Sequence, residues 1–227
     1  MGTVRVLSHA ETPFADRREA GRLLGRELVE FRGQRPVVLG IPRGGVVVAA
    51  EVAAEVDGEL DIALARKLRA PQNPELAVGA MSEDGHVFTD QSLLRYVGMT
   101  EERLTQEKDR VRGEIEQRQR LYRGARQKVP LEGRTVIVVD DGLATGATMK
   151  AALWAARKDH PHVLVCAVPV AAEHTVEEMA EHCDQIICLR VPFYFAAVGQ
   201  FYERFDQTED SEVLEILRRE QARVVVT

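Results

Sequence analysis

The most informative run of residues in this chain is Val136-Ile137-Val138-Val139-Asp140-Asp141-Gly142-Leu143-Ala144-Thr145-Gly146-Ala147-Thr148. Its apolar, β-branched start predicts a buried strand, and two carboxylates follow where that strand ends. A loop of small residues with two glycines and two threonines comes next, and residues 149–158 continue as a predicted helix. A strand, a small-residue loop and a helix in this order form a typical phosphate-binding unit.

The loop has the chemistry that a phosphate dianion requires. Backbone N–H groups and the positive end of the helix dipole converge on it, and its glycines permit close approach. The hydroxyls of Thr145 and Thr148 can donate to phosphate oxygens. Asp140 and Asp141 would repel the ligand unless they accept hydrogen bonds from a sugar diol or hold a hydrated metal. A sugar phosphate satisfies both halves of the run; the alternative is an ordinary βα turn in which one polar residue caps the helix.

Length and composition limit the class of protein. The 227 residues are enough for one domain, 1–227, with a full hydrophobic core. A net charge of −6 argues against a nucleic-acid surface and favours small-molecule partners. The cysteines are odd in number and lack metal-ligand spacing, so we expect reduced core residues at Cys166, Cys183 and Cys188. No run approaches the roughly 20 apolar residues of a membrane span, and we expect a cytoplasmic protein without membrane contact.

Strand and helix patterns alternate along the chain. Strands this uniformly apolar are covered on both faces, which predicts an α/β fold with a parallel sheet and helices on each side. The predicted strands are 37–41, 60–65, 135–139, 163–168 and 185–189, and a helix is predicted at 46–56. Ligands of such sheets bind at the carboxyl ends of the strands, where the quoted loop lies.

The quoted run resembles the phosphoribosyl diphosphate (PRPP) signature of the type I phosphoribosyltransferases. The resemblance covers about residues 33–190 and implies that family's parallel-sheet core. It also implies transfer of 5-phosphoribose from PRPP to a nitrogenous acceptor, with release of pyrophosphate. In the family the acidic pair binds the ribose hydroxyls, which makes Asp140 and Asp141 the expected ribose-binding and catalytic residues. The following loop wraps the 5′-phosphate, and the expected ligands are Ala144, Thr145, Gly146, Ala147 and Thr148.

A second small loop, Pro42-Arg43-Gly44-Gly45, follows the first predicted strand. The equivalent loop in the family binds pyrophosphate, and a basic pair at the end of the next strand often assists it. The expected pyrophosphate ligands are therefore Arg43, Gly44, Gly45, Arg66 and Lys67. The alternatives are a plain Gly-Gly turn and a solvated strand end. The resemblance implies Mg²⁺ carried by the diphosphate, without a direct protein ligand but with the option of a water-mediated contact to Asp140.

Two segments after Lys67 extend this scheme. Residues 68–75 contain two prolines and few apolar anchors, which predicts a mobile loop that closes over the site. The two short apolar runs 76–81 and 87–88, separated by the polar residues 82–86, predict a hairpin beside that loop. Residues 99–127 predict a long charged helix with a thin apolar stripe. That helix either packs on its own domain or forms a subunit contact, and we expect a homodimer.

The chain ends are expected to form a small hood over the strand ends. We assign residues 1–16 and 190–205 to it, because family members build the hood from variable segments. Aromatic residues are concentrated between Phe193 and Phe205, and residues 193–201 are our candidate for contacts with the acceptor base. A packed aromatic core patch is the alternative interpretation.

The acceptor is open, but one position narrows it. Family members that use 6-oxopurines commonly carry an acidic residue where this chain has Ala144, which cannot accept a proton. We therefore expect hypoxanthine and guanine to be poor acceptors, and a 6-aminopurine or a non-purine amine to do better. The run is closer to that of adenine phosphoribosyltransferases, although Gly142 replaces their usual apolar residue. The alternatives to a transferase are a PRPP-sensing regulator without transferase activity and a metal-dependent phosphoesterase.

Overall fold

The computed structural model describes residues 2–225, apart from the side chains of Pro74, Glu75, Val224 and Val225. Within those residues the chain forms nine strands and seven α-helices, which we number in chain order. The strands are β1 (Thr3–Ser8), β2 (Val37–Gly40), β3 (Glu59–Ile62), β4 (Ala65–Ala70), β5 (Asn73–Ser82), β6 (Val87–Thr89), β7 (Thr135–Val139), β8 (Val163–Val170) and β9 (Gln185–Arg190). The helices are α1 (Arg17–Arg26), α2 (Gly44–Val56), α3 (Gln91–Tyr96), α4 (Glu101–Tyr122), α5 (Ala147–Lys158), α6 (Glu173–Met179) and α7 (Asp210–Val225).

The main sheet has six strands in the order β1-β9-β8-β7-β2-β3, and every neighbouring pair is parallel. The strand of the quoted run, β7, lies between β2 and β8, with Val136 opposite Val37 and Val139 opposite Gly40. The predicted parallel sheet is confirmed. Because β2 and β7 end in register, the loops that follow them lie at the same edge of the sheet.

Both faces of the main sheet are buried along its central strands β2, β7 and β8, as their uniformly apolar sequences predict. Along β7, Ile137 and Val139 pack with α1, α2 and α7, whereas Val136 and Val138 pack with α5 and α6 on the opposite face. All four of these side chains have 0% exposure. The predicted helices on both faces are confirmed.

The three cysteines are free and buried, as expected from the sequence. Burial raises the pKa of Cys183 to about 11 and that of Cys188 to about 12. These thiols are therefore protonated packing residues at neutral pH.

A second, antiparallel sheet of β4, β5 and β6 carries the predicted hairpin, because β5 pairs with β6. The sequence predicts a mobile loop at 68–75, and the loop conformation is wrong: Leu68 to Ala70 belong to β4, and Asn73 of β5 pairs with Ala70. The predicted mobility is untested. The prolines that indicated a loop are compatible with this hairpin, because Pro71 lies in its turn and Pro74 near its tip. The side chains of residues 74 and 75 lie outside the described part of the chain.

The predicted helix at 99–127 is α4, which ends earlier, at Tyr122. Its apolar stripe packs on the second sheet, where Val111 and Ile115 contact the cluster that contains Leu68 and Met81. The alternative in which the helix packs on its own domain is therefore confirmed, while a subunit contact is untested. None of the helices within residues 2–225 combines the length and apolar composition needed to cross a membrane.

The N-terminal end corrects the predicted hood. Thr3–Ser8 is not hood but the edge strand of the main sheet, where Thr3 lies opposite Gln185 and Ser8 opposite Arg190. The strand was missed because it is an edge strand: Val4 and Leu7 stay more than 40% exposed, so the uniform apolar pattern is absent. Residue 1 of the predicted segment lies outside the described residues.

The remaining segments assigned to the predicted hood contact each other. Phe14 donates its N–H to the Phe201 carbonyl and accepts one from Glu203. Phe201 and Tyr202 are buried, whereas Phe193 is 89% exposed. The aromatic cluster is therefore divided: Phe201 and Tyr202 belong to the core, whereas Phe193, Tyr194 and Phe205 are exposed.

Candidate functional site

The predicted phosphate loop, residues 144–148, is fixed by contacts on its buried side. Gly146, with φ +68°, is the N-cap of α5, and a Cβ there would lie 2.8 Å from Thr175 Cγ2. The Thr175 hydroxyl donates to the Ala144 carbonyl at 2.6 Å, and the Leu143 N–H donates to Val170 at 2.9 Å. The glycine signal of the sequence therefore marks a position where a left-handed backbone and close packing both exclude other residues.

The free side of this loop faces open space. Ala144 and Thr145 are exposed, and the first N–H groups of α5 have no acceptor within their own helix. A cleft of about 580 Å³ lies here, bordered by Thr145, Ala147 and Lys150 and, across from them, by Asn73 and Ala77 of the hairpin. The hairpin and the predicted 5′-phosphate ligands thus share one cleft.

The acidic pair follows β7 directly and is partly buried. The Asp140 carboxylate accepts the Asp141 N–H at 2.9 Å, and Asp141 Oδ2 accepts from Arg17 Nε at 2.8 Å. The Tyr202 hydroxyl donates to the Asp141 carbonyl at 2.6 Å. These bonds fix the backbone and one carboxylate edge of the pair.

Burial sets the ionisation of the two carboxyl groups. It raises the pKa of Asp140 well above the ordinary value, and the neighbouring Asp141 carboxylate raises it further. Burial also raises the pKa of Asp141, while the hydrogen bond and charge of Arg17 oppose that rise. Two adjacent carboxylates in such a place favour hydroxyl donors and cations as partners.

The second predicted loop lies against the acidic pair. The Ile41 N–H donates to the Val139 carbonyl at 2.9 Å, which joins the ends of β2 and β7. A Cβ on Gly44 would lie 2.0 Å from Asp141 Oδ2, and one on Gly45 would lie 2.8 Å from Asp140 Oδ1. Both glycines are therefore required for the two loops to approach. The Pro42–Arg43 peptide bond is cis, and α2 begins at the next residue.

The predicted basic residues are only partly gathered at this loop. Arg43 lies on the loop and forms an ion pair with Glu209 at 3.7 Å. The prediction that Arg66 and Lys67 end the preceding strand is wrong, because β3 ends at Ile62 and the two residues lie inside β4. The apolar run continued across the break between two sheets, which hid the end of β3.

Within β4 the two basic side chains point to opposite faces. Arg66 lines a small cavity together with Pro42 and Arg118, and burial lowers its pKa. Arg66 therefore lies beside the Pro42-Arg43-Gly44-Gly45 loop, whereas Lys67 belongs to the other face of the second sheet.

Sequence reasoning missed Arg17, Tyr202 and Glu209, which surround the acidic pair and its neighbouring loop. Asp16 accepts the Glu19 N–H as the N-cap of α1, so a helix start near Arg17 was detectable. The contact of Arg17 with Asp141 joins residues 124 positions apart, and no local pattern reports it. In the described part of the chain, no group of three or more His, Cys, Asp or Glu side chains is arranged to hold a metal ion.

An acidic pair between two small-residue loops, at the carboxyl edge of a parallel sheet, defines the class of site: one suited to a phosphorylated sugar. The family model of the phosphoribosyl transferase domain matches residues 16–202. The chain belongs to this family, and the resemblance detected in the quoted run is confirmed.

Relatives support this membership over most of the chain. Two proteins of Mycobacterium tuberculosis, named "Putative phosphoribosyl transferase Rv0571c" (strain H37Rv) and "Putative phosphoribosyl transferase MT0597" (strain CDC 1551), are each 41% identical over 206 residues. Each match covers 91% of this chain and 46% of the relative, so the chain spans about half the length of these curated proteins. The crystal structure of TT1426 from Thermus thermophilus is 44% identical with a TM-score of 0.86, and the match covers 92% of this chain and 99% of that one.

Proposed function

We propose that this chain transfers the 5-phosphoribosyl group of PRPP to a nitrogenous acceptor and releases pyrophosphate. One observation carries the proposal: the acidic pair contacts the Gly44-Gly45 loop so closely that neither glycine has room for a side chain. We call Asp140 and Asp141 the ribose clamp, and Arg43, Gly44 and Gly45 the diphosphate cradle. Their contact matches the two groups joined by the bond that breaks in PRPP, the ribose and the diphosphate. Family membership supports the same reaction.

Each part of PRPP has a proposed group of ligands. Asp140 and Asp141 accept hydrogen bonds from the ribose hydroxyls, which fixes the reacting carbon between the two loops. The 5′-phosphate binds at the start of α5, to Ala144, Thr145, Gly146, Ala147 and Thr148. The diphosphate binds at the second loop, to Arg43, Gly44 and Gly45. Arg66 lies beside this loop. Lys67, the other basic residue expected to assist, lies on the opposite face of β4.

Magnesium fits this scheme through the substrate. Mg²⁺ keeps several waters and binds through one or two carboxylates plus substrate phosphates, which matches a carboxylate pair beside a diphosphate cradle. When bound, it would neutralise charge on the departing pyrophosphate, with a water-mediated contact to Asp140. The side chains themselves bind and orient PRPP, and no side-chain nucleophile is required.

The hairpin of β4 and β5 is the proposed lid. Asn73 and Ala77 border the same cleft as Thr145, so a small movement of the hairpin toward the phosphate loop would close the site. Excluding water protects the reacting carbon, which has cationic character while pyrophosphate leaves. A homodimer and a cytoplasmic location are part of the same proposal.

The acceptor is proposed from what Ala144 lacks. This residue is exposed beside the acidic pair, and its methyl group cannot accept a proton from a purine ring. We expect hypoxanthine and guanine to be used at least about tenfold less efficiently than a 6-aminopurine or a non-purine amine. This is a lower bound, because a general base typically contributes at least about 100-fold to the rate. Efficient nucleotide formation from hypoxanthine or guanine would contradict this expectation.

Pyrophosphate release from PRPP and Mg²⁺, measured against a panel of purines, pyrimidines and simple amines, tests the reaction and the acceptor together. PRPP affinity is measured in parallel by calorimetry. Release that depends on one acceptor class supports the transferase. Tight PRPP binding without release for any acceptor would support the regulatory alternative, and absence of PRPP binding would refute both.

A further inference from the structure

Arg17 is fixed from three sides at the centre of the site. Its Nε donates to Asp141 Oδ2 at 2.8 Å, and its Nη1 donates to the Asp206 carbonyl at 2.7 Å. The guanidinium carbon lies 3.9 Å from the centre of the Phe205 ring. The side chain is only 12% exposed. An arginine held this firmly has lost its rotamer freedom before any ligand arrives, which lowers the entropy cost of binding.

The guanidinium lies over the proposed diphosphate cradle as well as beside the ribose clamp. A Cβ on Gly44 would lie 2.8 Å from Arg17 Nε and 2.0 Å from Asp141 Oδ2. Arg17 is therefore in contact range of the loop backbone to which the diphosphate is assigned. Its third nitrogen, Nη2, makes no hydrogen bond to the residues that the structure describes.

A cation at the position of Arg17 would reduce the repulsion between the acidic pair and a bound diphosphate. The acidic pair places carboxylates beside a cradle that must accept a highly charged diphosphate, and Arg43, the cation of that cradle, is already paired with Glu209. One more cation between carboxylate and diphosphate converts a repulsion into two attractions. A guanidinium suits this position, because its planar fork can bind a carboxylate and a phosphate oxygen at once.

We propose that Arg17 is a ligand of the PRPP diphosphate, bridging the Asp141 carboxylate and a diphosphate oxygen. This inference rests on the proposed function, and it adds a residue that joins the ribose and diphosphate parts of the site. The structural alternative is that Arg17 only orients Asp141 and anchors the segment around Phe205.

Three ligands separate the two roles. Pyrophosphate with Mg²⁺ occupies the diphosphate cradle alone, ribose 5-phosphate occupies the clamp and phosphate loop alone, and PRPP occupies both. A direct diphosphate ligand affects pyrophosphate and PRPP. A residue that acts only through Asp141 affects ribose 5-phosphate and PRPP instead.

The test measures the three affinities by calorimetry for the wild type and for Arg17→Gln, which keeps a donor near Asp141 but removes the charge. We expect at least about tenfold weaker binding of pyrophosphate and PRPP, the loss of a charge-assisted hydrogen bond, and less than about threefold change for ribose 5-phosphate. Arg17→Lys restores the charge without the fork and should fall between the two. The control is Arg22→Gln in α1, the helix that also carries Arg17. This variant removes an exposed arginine that pairs with Glu51 of α2.

Loss confined to ribose 5-phosphate, equal loss for all three ligands, or no change overturns the inference. Should Arg17→Gln fail to fold, the same comparison is made with Arg17→Lys, where a selective loss for pyrophosphate supports the inference and any other pattern overturns it. A wild-type chain that binds no PRPP would refute the proposed function itself, and this result is separate from the behaviour of the variants.

Discussion

Replacing Asp141 by alanine removes the most constrained carboxylate of the site. Its oxygen Oδ2 accepts from Arg17 at 2.8 Å, and the carboxylate lies against the position that a Gly44 side chain would occupy. In the proposed complex the same group accepts a hydrogen bond from a ribose hydroxyl. A hydrogen bond to a charged group contributes about 1.5–3 kcal/mol. At about 1.4 kcal/mol for each factor of ten, the loss in PRPP affinity should be about 10- to 100-fold.

Two side effects of this variant can be estimated. The alanine leaves Arg17 without its carboxylate, and the pair is only 12% and 16% exposed, so its loss costs more than that of a surface ion pair. Removal of a buried carboxylate whose pKa burial raises, and relief of repulsion on Asp140, offset part of this cost. We expect a net loss of about 1 kcal/mol in the free energy of unfolding, which for a chain of this size lowers Tm by about 2–4 °C.

Calorimetric titration with PRPP and Mg²⁺ measures the affinity, and thermal unfolding measures the stability of the same samples. Asp109→Ala is a matched control, because that carboxylate pairs with Arg112 on the exposed surface of α4. An Asp141→Ala protein that is folded and binds PRPP as the wild type does would refute the ribose clamp. An equal loss in the control would show that the effect is not specific to the site.

The geometry of the site leads to three further predictions. Gly44→Ala places a methyl group 2.0 Å from Asp141 Oδ2 and should weaken PRPP binding, measured by calorimetry, at least about tenfold. The control Gly113→Ala in α4 places its methyl group in open space and should leave PRPP binding unchanged. Equal effects of the two variants would contradict the close approach of the two loops. Asp140→Asn should raise Tm at neutral pH, because the raised pKa of Asp140 means that its ionised form destabilises the folded chain at pH values above the ordinary pKa of 3.8. This gain in Tm should shrink as the pH falls through the raised pKa and vanish below pH 3.8. A Tm difference that is independent of pH would contradict this reasoning. PRPP with Mg²⁺ should slow tryptic cleavage after the exposed Arg69 in the β4–β5 hairpin, and equal cleavage rates with and without the ligand would show that the hairpin is not a lid.

The central part of the site could be predicted because its signals are local. The predicted strand at 135–139 has the observed bounds, and the helix predicted from residue 149 begins at Ala147. Apolar periodicity, paired carboxylates and glycines act within about one strand, one turn and one helix, so a short window of sequence contains them. The parallel sheet followed from the same kind of evidence, since strands buried on both faces show it in their composition.

Errors arose where an element depends on partners far away in the chain. Thr3–Ser8 forms a strand by pairing with β9. Its mixture of polar and apolar residues did not indicate that pairing. The hairpin around residues 68–75 depends on pairing between β4 and β5, although its prolines favoured a loop. Local propensity is a weak guide at a sheet edge, because pairing and packing decide the outcome there.

The order of strand, acidic pair, phosphate loop and helix, and with it the family, can be read from the amino-acid sequence alone. The surroundings of the acidic pair depend on the folded chain: Arg17 comes from α1, Tyr202 and Glu209 from the C-terminal part, and the glycines from the second loop. The physical reason is that backbone preferences act between neighbours in the chain, whereas ion pairs and close packing act through space. Arg17 and Asp141 are 124 positions apart in the sequence and 2.8 Å apart in the fold.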